Sequence, residues 1–392
     1  MAGIYIHIPF CKRKCHYCNF FSIVSVKYQA PLLDALKGEI FMQRKYLSGK
    51  KIDTIYFGGG TPSMLDPAEI KNILAEIKKH HPVSENAEIT IEVNPDDINQ
   101  ATSPNGTFLK ERADKAGLLQ EYRNLGINRI SIGVQSFFDD DLEYLNRIHS
   151  AARAVEAIRS AQNAGFNNIS IDLIYGIPTL TEDKWHQNLE TAFSLDIQHI
   201  SAYSLTVEPQ TALDVLIRKK KMQAPLEENA IAHFRSLMTE MKKNSFLHYE
   251  ISNFCKEGYF SRHNCMYWNR DHYLGLGPSA HSFNGVSRQW NVASVIEYID
   301  QVRNNERFFE SEMLTFSQRY NEYIMTSLRT MWGCDGNRIK ENFGEAAASG
   351  FRLLASGYIK KGLMAEKEGV YYLTDEGKLF ADGIASDLFI ES

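Results

Sequence analysis

The stretch His7-Ile8-Pro9-Phe10-Cys11-Lys12-Arg13-Lys14-Cys15-His16-Tyr17-Cys18-Asn19-Phe20-Phe21 sets three thiols in one short loop, directly after an apolar run (Ile4, Tyr5, Ile6, Ile8) that reads as a strand. Thiolates so close in sequence can converge on one soft metal centre. Three of them do not complete a four-iron cluster, in which every iron needs a terminal ligand, so one iron would be left open. A structural zinc site normally takes four protein ligands in two close pairs, and Cys255, Cys265 and Cys334 lie far away without such pairing. A disulfide framework is out of character for 6 Cys among 392 residues without a secretory signal. The spacing is compatible with a [4Fe-4S] cluster on Cys11, Cys15 and Cys18, and the sequence that follows the loop weighs most for it.

Composition fits a soluble intracellular protein. Hydrophobic residues make up 44% and charged residues 23%, enough for a large core, and 392 residues suggests two domains. Met1-Ala2-Gly3-Ile4 enters a strand with neither a basic region nor a long apolar stretch, so no signal peptide or transmembrane segment is expected and the location expected is cytoplasmic. A net charge of -5 gives no global reason to bind nucleic acid. Asn99 to Lys115, with Ser103-Pro104-Asn105-Gly106, reads as an insertion or long polar loop.

Up to about residue 245 one pattern repeats: a β-branched run, a polar or glycine-rich turn, then a helical period. The runs are Ile4 to Ile8, Thr54 to Phe57, Glu88 to Val93, Arg129 to Val134, Ile169 to Tyr175 and Ile200 to Val207. Amphipathic stretches lie around Leu32 to Tyr46, Ala68 to Lys79, Leu118 to Leu125, Ala151 to Ala164, Glu182 to Leu195 and Glu227 to Lys243. Such a succession argues an α/β fold with a parallel sheet and right-handed crossovers, either open or closed toward a barrel. Polar groups end the runs: the cysteines, Gly58-Gly59-Gly60-Thr61-Pro62, Glu92 and Asn94, Gln135 and Ser136, Asp172, then Tyr203 and Thr206. They meet at one point only if the strands curve around it, which favours a partial (β/α)6 barrel.

Six motifs in this order carry a family resemblance. They are Tyr5-Ile6-His7-Ile8-Pro9-Phe10-Cys11, Tyr56-Phe57-Gly58-Gly59-Gly60-Thr61-Pro62-Ser63, Ile91-Glu92-Val93-Asn94-Pro95, Ile132-Gly133-Val134-Gln135-Ser136-Phe137, Leu145-Asn146-Arg147-Ile148-His149 and Ile171-Asp172-Leu173-Ile174-Tyr175-Gly176-Ile177-Pro178. Together with the cysteine spacing they resemble the radical S-adenosylmethionine (SAM) superfamily, in its oxygen-independent coproporphyrinogen III oxidase branch, and within that branch the heme chaperones of the HemW type. The resemblance implies a radical SAM barrel whose open iron is chelated by the amino and carboxylate groups of SAM, and whose electron transfer can release a 5'-deoxyadenosyl radical. It implies that Gly58, Gly59, Gly60 and Thr61 hold the SAM amino group, that Glu92 lies near the SAM amino acid or ribose, and that Gln135 and Arg147 lie near the ribose and carboxylate. It also places Asp172 near the ribose, Tyr17 over the cluster or adenine, and Tyr5 at the same site. Read without the family, the glycines equally suit a tight turn, Arg147 a surface cation paired with Glu143, and the tyrosines an ordinary core.

Two features separate chaperone from oxidase. Oxidases of this branch usually carry a further cysteine two residues past the third ligand, here Phe20, and an N-terminal extension before the first strand. His263-Asn264-Cys265-Met266-Tyr267-Trp268 matches HNxxYW, which in chaperones of this type is associated with heme. Imidazole is a common axial ligand of heme iron, and His272 and His281 compete with His263 for that part. The same residues would otherwise satisfy polar groups in a loop closing the barrel. The resemblance thus implies a protein that binds a cluster, SAM and heme and passes heme to an acceptor protein, such as a membrane-associated respiratory protein; the alternative is oxidative decarboxylation of coproporphyrinogen III.

After Ser294 the pattern changes, dividing the chain into residues 1–294 and 295–392. Val295 to Asn304, Ser317 to Met331, Gly333 to Phe343 and Ala346 to Ser356 read as helices, Gly369 to Leu373 as part of a hairpin, and Leu379 to Leu388 as a last helix. The order suggests a C-terminal helical, winged-helix-like domain. Arg338 and Lys340 share their helix with Glu341 and Glu345, so it is no basic recognition helix. A lid over the active face or a partner-docking module is expected instead.

Overall fold

A computed structural model describes residues 1–98 and 115–391. The long loop read over Asn99 to Lys115 lies, apart from Lys115, outside them. Six parallel strands form the centre: β1 (Ala2–Ile8), β2 (Ile52–Gly59), β3 (Val83–Val93), β4 (Arg129–Gln135), β5 (Ile169–Tyr175) and β6 (His199–Ser204). Between them run α1 (Gln29–Met42), α2 (Pro67–His80), α3 (Pro95–Ile98) with α4 (Lys115–Asn124), α5 (Asp139–Tyr144) with α6 (Ala151–Asn163), and α7 (Glu182–Ser194). After β6 come α8 (Ala212–Arg218) and α9 (Glu227–Lys243). Asp66 and Glu69 close a capping box at the start of α2, while Ser150 and Thr181 cap α6 and α7.

The six strands are hydrogen-bonded in sequence order. Right-handed crossovers in one direction keep the helices on one face, and the sheet has no order reversal at which a doubly wound fold would open its crevice. Alternation then sorts the side chains. Ile4, Ile6, Ile55, Phe57, Ile89, Ile91, Ile130, Ile132, Ile171 and Ile200 are buried in the main core. Their neighbours Tyr5, Tyr56, Glu92, Arg129, Ser131, Asp172 and Ser201 line a cavity. A period of two, apolar toward the helices and polar toward the inside, makes this a partial (β/α)6 barrel.

The sheet is larger than the repeats indicate. On one edge β8 (Asn253–Cys255) pairs antiparallel with β6, and β7 (Leu247–Glu250) pairs antiparallel with β8. On the other, after α10 (Arg262–Trp268), β9 (His272–Leu276) lies parallel to β1 and is followed by β10 (His281–Phe283), β11 (Ser287–Asn291) and β12 (Phe309–Met313). The helix α11 (Val295–Arg303) packs Val295, Tyr298, Ile299 and Val302 into the main core. Residues 295–313 thus continue the first body, so the division at Ser294 falls inside it. The second core begins with Tyr320.

Glu39 of α1 ties this extension down. Its buried carboxylate accepts hydrogen bonds from Gly277 N–H at 2.7 Å, from Asn291 Nδ2 at 2.6 Å and from the Tyr298 hydroxyl. Burial raises its pKa to about 7 from 4.5. The folded state therefore holds this proton more tightly than the unfolded chain, and the contribution is full below about pH 4.5 and lost as pH rises through about 7. Urea titrations across that interval should show wild type losing on the order of 3 kcal/mol relative to Glu39→Gln. Parallel curves for the two proteins would refute this.

The second body holds α12 (Phe316–Leu328), β13 (Cys334–Asp335), α13 (Gly336–Lys360), β14 (Met364–Lys367), β15 (Val370–Leu373), α14 (Asp375–Lys378) and α15 (Ala381–Asp387). Gly344, at φ 88°, breaks α13 where the sequence suggests two helices. The three strands form a small sheet of order β13-β15-β14. This body docks through Met331 N–H to Tyr249 O at 3.0 Å, Arg329 on Glu250 at 3.1 Å and Arg288 on Glu322 at 2.7 Å. Arg329 also lies over the Trp268 ring at 5.4 Å. None of the residues lining the barrel cavity comes from it, so among the described residues it backs onto β7 and α10 and does not cover the cavity as a lid would.

Candidate functional site

The cysteine loop leaves β1 and is clamped at its neck. Cys11 N–H donates to Ile23 O at 3.0 Å and Ile23 N–H to Pro9 O at 2.7 Å. Farther out His16 N–H donates to Leu145 O at 3.2 Å, Asn146 Nδ2 to Lys14 O at 2.9 Å, and Leu213 N–H to His16 O at 2.8 Å. Lys12 turns inward to Asp96 at 2.9 Å. These bonds hold the loop without using a thiol.

Cys11, Cys15 and Cys18 are free, half-buried, and line one cavity of about 520 Å³. The Thr61 hydroxyl faces Cys11 Sγ at 3.6 Å, and Arg147 Nη1 faces Cys15 Sγ at 3.4 Å. Burial raises the Cys11 thiol and pushes Cys18 up to about 11, so bound metal, with the guanidinium, would draw out the protons. Among the described residues no three His, Cys, Asp or Glu side chains converge as ligands of a single ion do. Thiolates on separate corners of a cluster need not, and three soft donors with an adjacent cation fit that group.

The other strand ends close around the thiols. Arg147 Nη2 donates to Asn94 Oδ1 at 2.6 Å and to Gly133 O at 2.9 Å, Asn94 Nδ2 donates to Thr61 Oγ1 at 3.0 Å, and Thr61 reaches Cys11. Arg147 is thereby turned into the barrel, and the surface pair with Glu143 is not made. Gly60 is obligatory, because a Cβ there would lie 2.7 Å from Phe10 O and 2.8 Å from Ile8 O. Gly59, at φ 105°, sends its N–H to Glu92 Oε2 at 3.2 Å, and Tyr56 donates to Glu92 Oε1 at 2.8 Å. Gln135 is buried at φ 68° where the β4–β5 register shifts, a strained position that marks functional sites. Tyr17 sits beside Arg147 and Cys15, its phenol raised by burial. Tyr5 shares a 3.2 Å hydrogen bond with His7 Nδ1.

Two carboxylates face this space. Burial, reinforced by the charge of Asp172, raises Glu92 to about 7. Burial raises Asp172 to about 6 against the pull of the Ser201 hydroxyl and of the Arg129 and Arg147 charges. Neither has an ion-pair partner within the described residues, so both suit a cationic ligand, and SAM carries a sulfonium and an ammonium group.

His263 lies at the other end of the barrel. Its helix, α10, packs under the starts of β1 and β2, where a Cβ on Gly3 would meet Met266 Sδ at 2.5 Å. The N–H groups of Arg262 and His263 donate to Glu88 at 3.1 and 3.0 Å. Nδ1 of His263 shares a bond with Thr54 Oγ1 at 2.8 Å and Nε2 with the Tyr267 hydroxyl at 2.9 Å, while the ring stacks on Tyr56 with centroids 5.0 Å apart. Burial lowers its pKa to about 3. His263, Asn264 and Tyr267 form the cavity floor; His272 and His281 do not line it. Sequence reading passed over Arg129, which looks like the polar edge of an apolar run, although it too lines the cavity.

A cysteine triad at the mouth of a partial barrel, with polar strand ends gathered around it, defines the radical SAM class, and residues 5–192 match the Radical SAM superfamily. Over 387 residues the chain is 33% identical to the heme chaperone HemW of Bacillus subtilis, covering 98% of each, and over 392 residues 30% identical to HemW of Mycobacterium tuberculosis H37Rv, covering 98% of this chain and 94% of the relative. The chain belongs to the HemW family. Its fold also matches the coproporphyrinogen III oxidase HemN of Escherichia coli, a radical SAM enzyme, with a TM-score of 0.82 at 22% identity over 99% of this chain and 90% of that one. No helix among the described residues is long and apolar enough to cross a membrane.

Proposed function

We propose that this protein is a cytoplasmic heme chaperone that binds a [4Fe-4S] cluster on Cys11, Cys15 and Cys18, SAM beside it, and heme, and passes heme to an acceptor protein. The observation that carries the reading is likeness along the whole chain to heme chaperones, 98% of both chains for the Bacillus relative. When bound, cluster and SAM supply electron transfer and a route to radical chemistry. Arg147 steadies the thiolate side, Glu92 and Asp172 receive positive charge, and Gly59 and Gly60 let the ligand approach the backbone. Gln135, Tyr5 and Tyr17 bound the remaining space, and His263 with Asn264 closes it from below. Coproporphyrinogen oxidation has support only in the fold likeness to HemN.

The test is anaerobic reconstitution with iron and sulfide followed by heme titration. Saturable one-to-one binding, transfer to an acceptor and no conversion of coproporphyrinogen III are expected. Turnover without heme retention would overturn the reading.

The raised carboxylates make SAM affinity pH-dependent. A cationic ligand favours their ionised forms, so below about pH 6 to 7 binding must expel protons. Affinity should rise from pH 5.5 to 8 and level off, with proton release seen by calorimetry in buffers of different ionisation enthalpy. Glu92→Gln should bind SAM roughly 10- to 100-fold more weakly, with a flatter profile. An unchanged profile in that variant would remove Glu92 from the site.

A further inference from the structure

Arg129 opens β4 with its side chain turned into the barrel, 2% exposed, on the wall of the cavity that the cysteines share. Its Nε and Nη2 have no hydrogen-bond partner. No interior carboxylate bonds to it: Glu88 caps α10, Glu92 accepts from Tyr56 and Gly59, and Asp172 feels the Arg129 charge without forming an ion pair with it. A guanidinium is all donor and no acceptor, and withdrawing it from water without an anion is costly. A cation kept under those terms at a cavity wall is reserved for an anion that arrives from outside.

The depth of Arg129 says which part of a ligand it meets. Gly133, whose carbonyl holds Arg147 at the cysteine loop, lies four residues farther along β4, about 13 Å of strand. Arg129 therefore faces a group that reaches down the barrel from the mouth. A carboxylate matches the planar fork of its donors.

We propose that Arg129 is a carboxylate anchor deep in the barrel, taking the acidic arm of an organic ligand that enters past the cysteine loop. If that ligand is heme, the arm is a propionate. The identification with heme rests on the chaperone reading; the anion site does not.

The full-length, cluster-reconstituted protein should be titrated anaerobically with hemin, hemin dimethyl ester and SAM, comparing wild type, Arg129→Met and Arg129→Lys, with thermal unfolding recorded without ligand. Arg129→Met should bind the carboxylate-bearing ligand about 10- to 100-fold more weakly, with Arg129→Lys between. Its unliganded midpoint should change little, because Nε and Nη2 lose no hydrogen bond and Asp172, deprived of the Arg129 charge, can take up a proton. Loss confined to hemin, with the ester equally weak on all three proteins, assigns the site to a propionate. Loss confined to SAM keeps the anion site and removes heme from it. If wild type binds no hemin, the chaperone reading fails and the SAM arm alone decides on Arg129. Unchanged affinity of Arg129→Met for every ligand that wild type binds, or an unliganded midpoint far below wild type, overturns the proposal.

Discussion

Cys15→Ala, reconstituted with iron and sulfide beside wild type, should retain almost no iron, yet unfold at nearly the temperature of the wild-type apoprotein. The two halves of this expectation come from different bonds. The loop is fastened by backbone contacts at Cys11, Ile23, His16 and Leu213 and by the Asn146 side chain, none of which uses a sulfur atom. The Cys15 thiol itself meets Arg147 Nη1 at 3.4 Å and the Tyr17 hydroxyl, and that guanidinium keeps Asn94 and Gly133 as partners when the sulfur is gone. Removing one half-buried thiol from a loop so held costs on the order of 1 kcal/mol. For the metal the arithmetic differs, because a cluster with one iron already open cannot keep its place on two protein ligands. Iron and labile sulfide analysis with visible absorption reads the first half, and circular dichroism on heating reads the second. Wild-type iron content in the variant would sink the three-cysteine assignment.

Much of the fold was legible because the barrel strands obey a period of two on a recognisable cycle of strand, turn and helix. Ile169–Tyr175 and Glu227–Lys243 coincide with the elements read from sequence, and four of the other five strands agree within a few residues, while β3 begins well before the run read from Glu88. The flanking strands were not legible. β8, β10 and β13 span only three, three and two residues, too short for alternation to register, and the pairing of β9 with β1 joins segments some 270 residues apart, which no local pattern encodes. The change at Ser294 reflects a real shift from strand to helix, but α11 amphipathicity does not say which core its apolar face joins. At the site, residue types drew attention to the cysteines and glycines, while the direction of Arg147 depended on Asn94 and Gly133 arriving from other strands. Arg129 was hidden for the same reason. In sequence it ends a polar turn, and only curvature of the sheet puts it inside.

The floor of the barrel yields the second large effect. His263→Ala should lower stability by about 3–5 kcal/mol, since it removes a buried ring from the cavity floor and strips partners from Thr54 and Tyr267. Weaker heme binding in that variant would therefore mix loss of a ligand with loosening of the floor. Tyr267→Phe separates them. Nε2 must leave the Tyr267 hydroxyl before it can meet iron, and phenylalanine keeps the edge-to-face contact, 5.1 Å between centroids, while releasing that nitrogen. If His263 is the heme ligand, Tyr267→Phe should bind heme roughly tenfold more tightly, the worth of one buried hydrogen bond no longer broken. If another residue holds iron, Tyr267→Phe should leave affinity and the Soret band as they are in wild type. Acid supplies an internal check: with its folded pKa near 3 against 6.5, His263 is neutral at pH 7, and its contribution to stability, complete above pH 6.5, drains away as pH falls toward 3. His263→Asn should remove that part of the acid slope, about 1.4 kcal/mol per pH unit, whether or not heme binds there. An acid slope shared by wild type and His263→Asn would mean that the imidazole is not sealed in the floor, and Tyr267 would then no longer stand between it and a ligand.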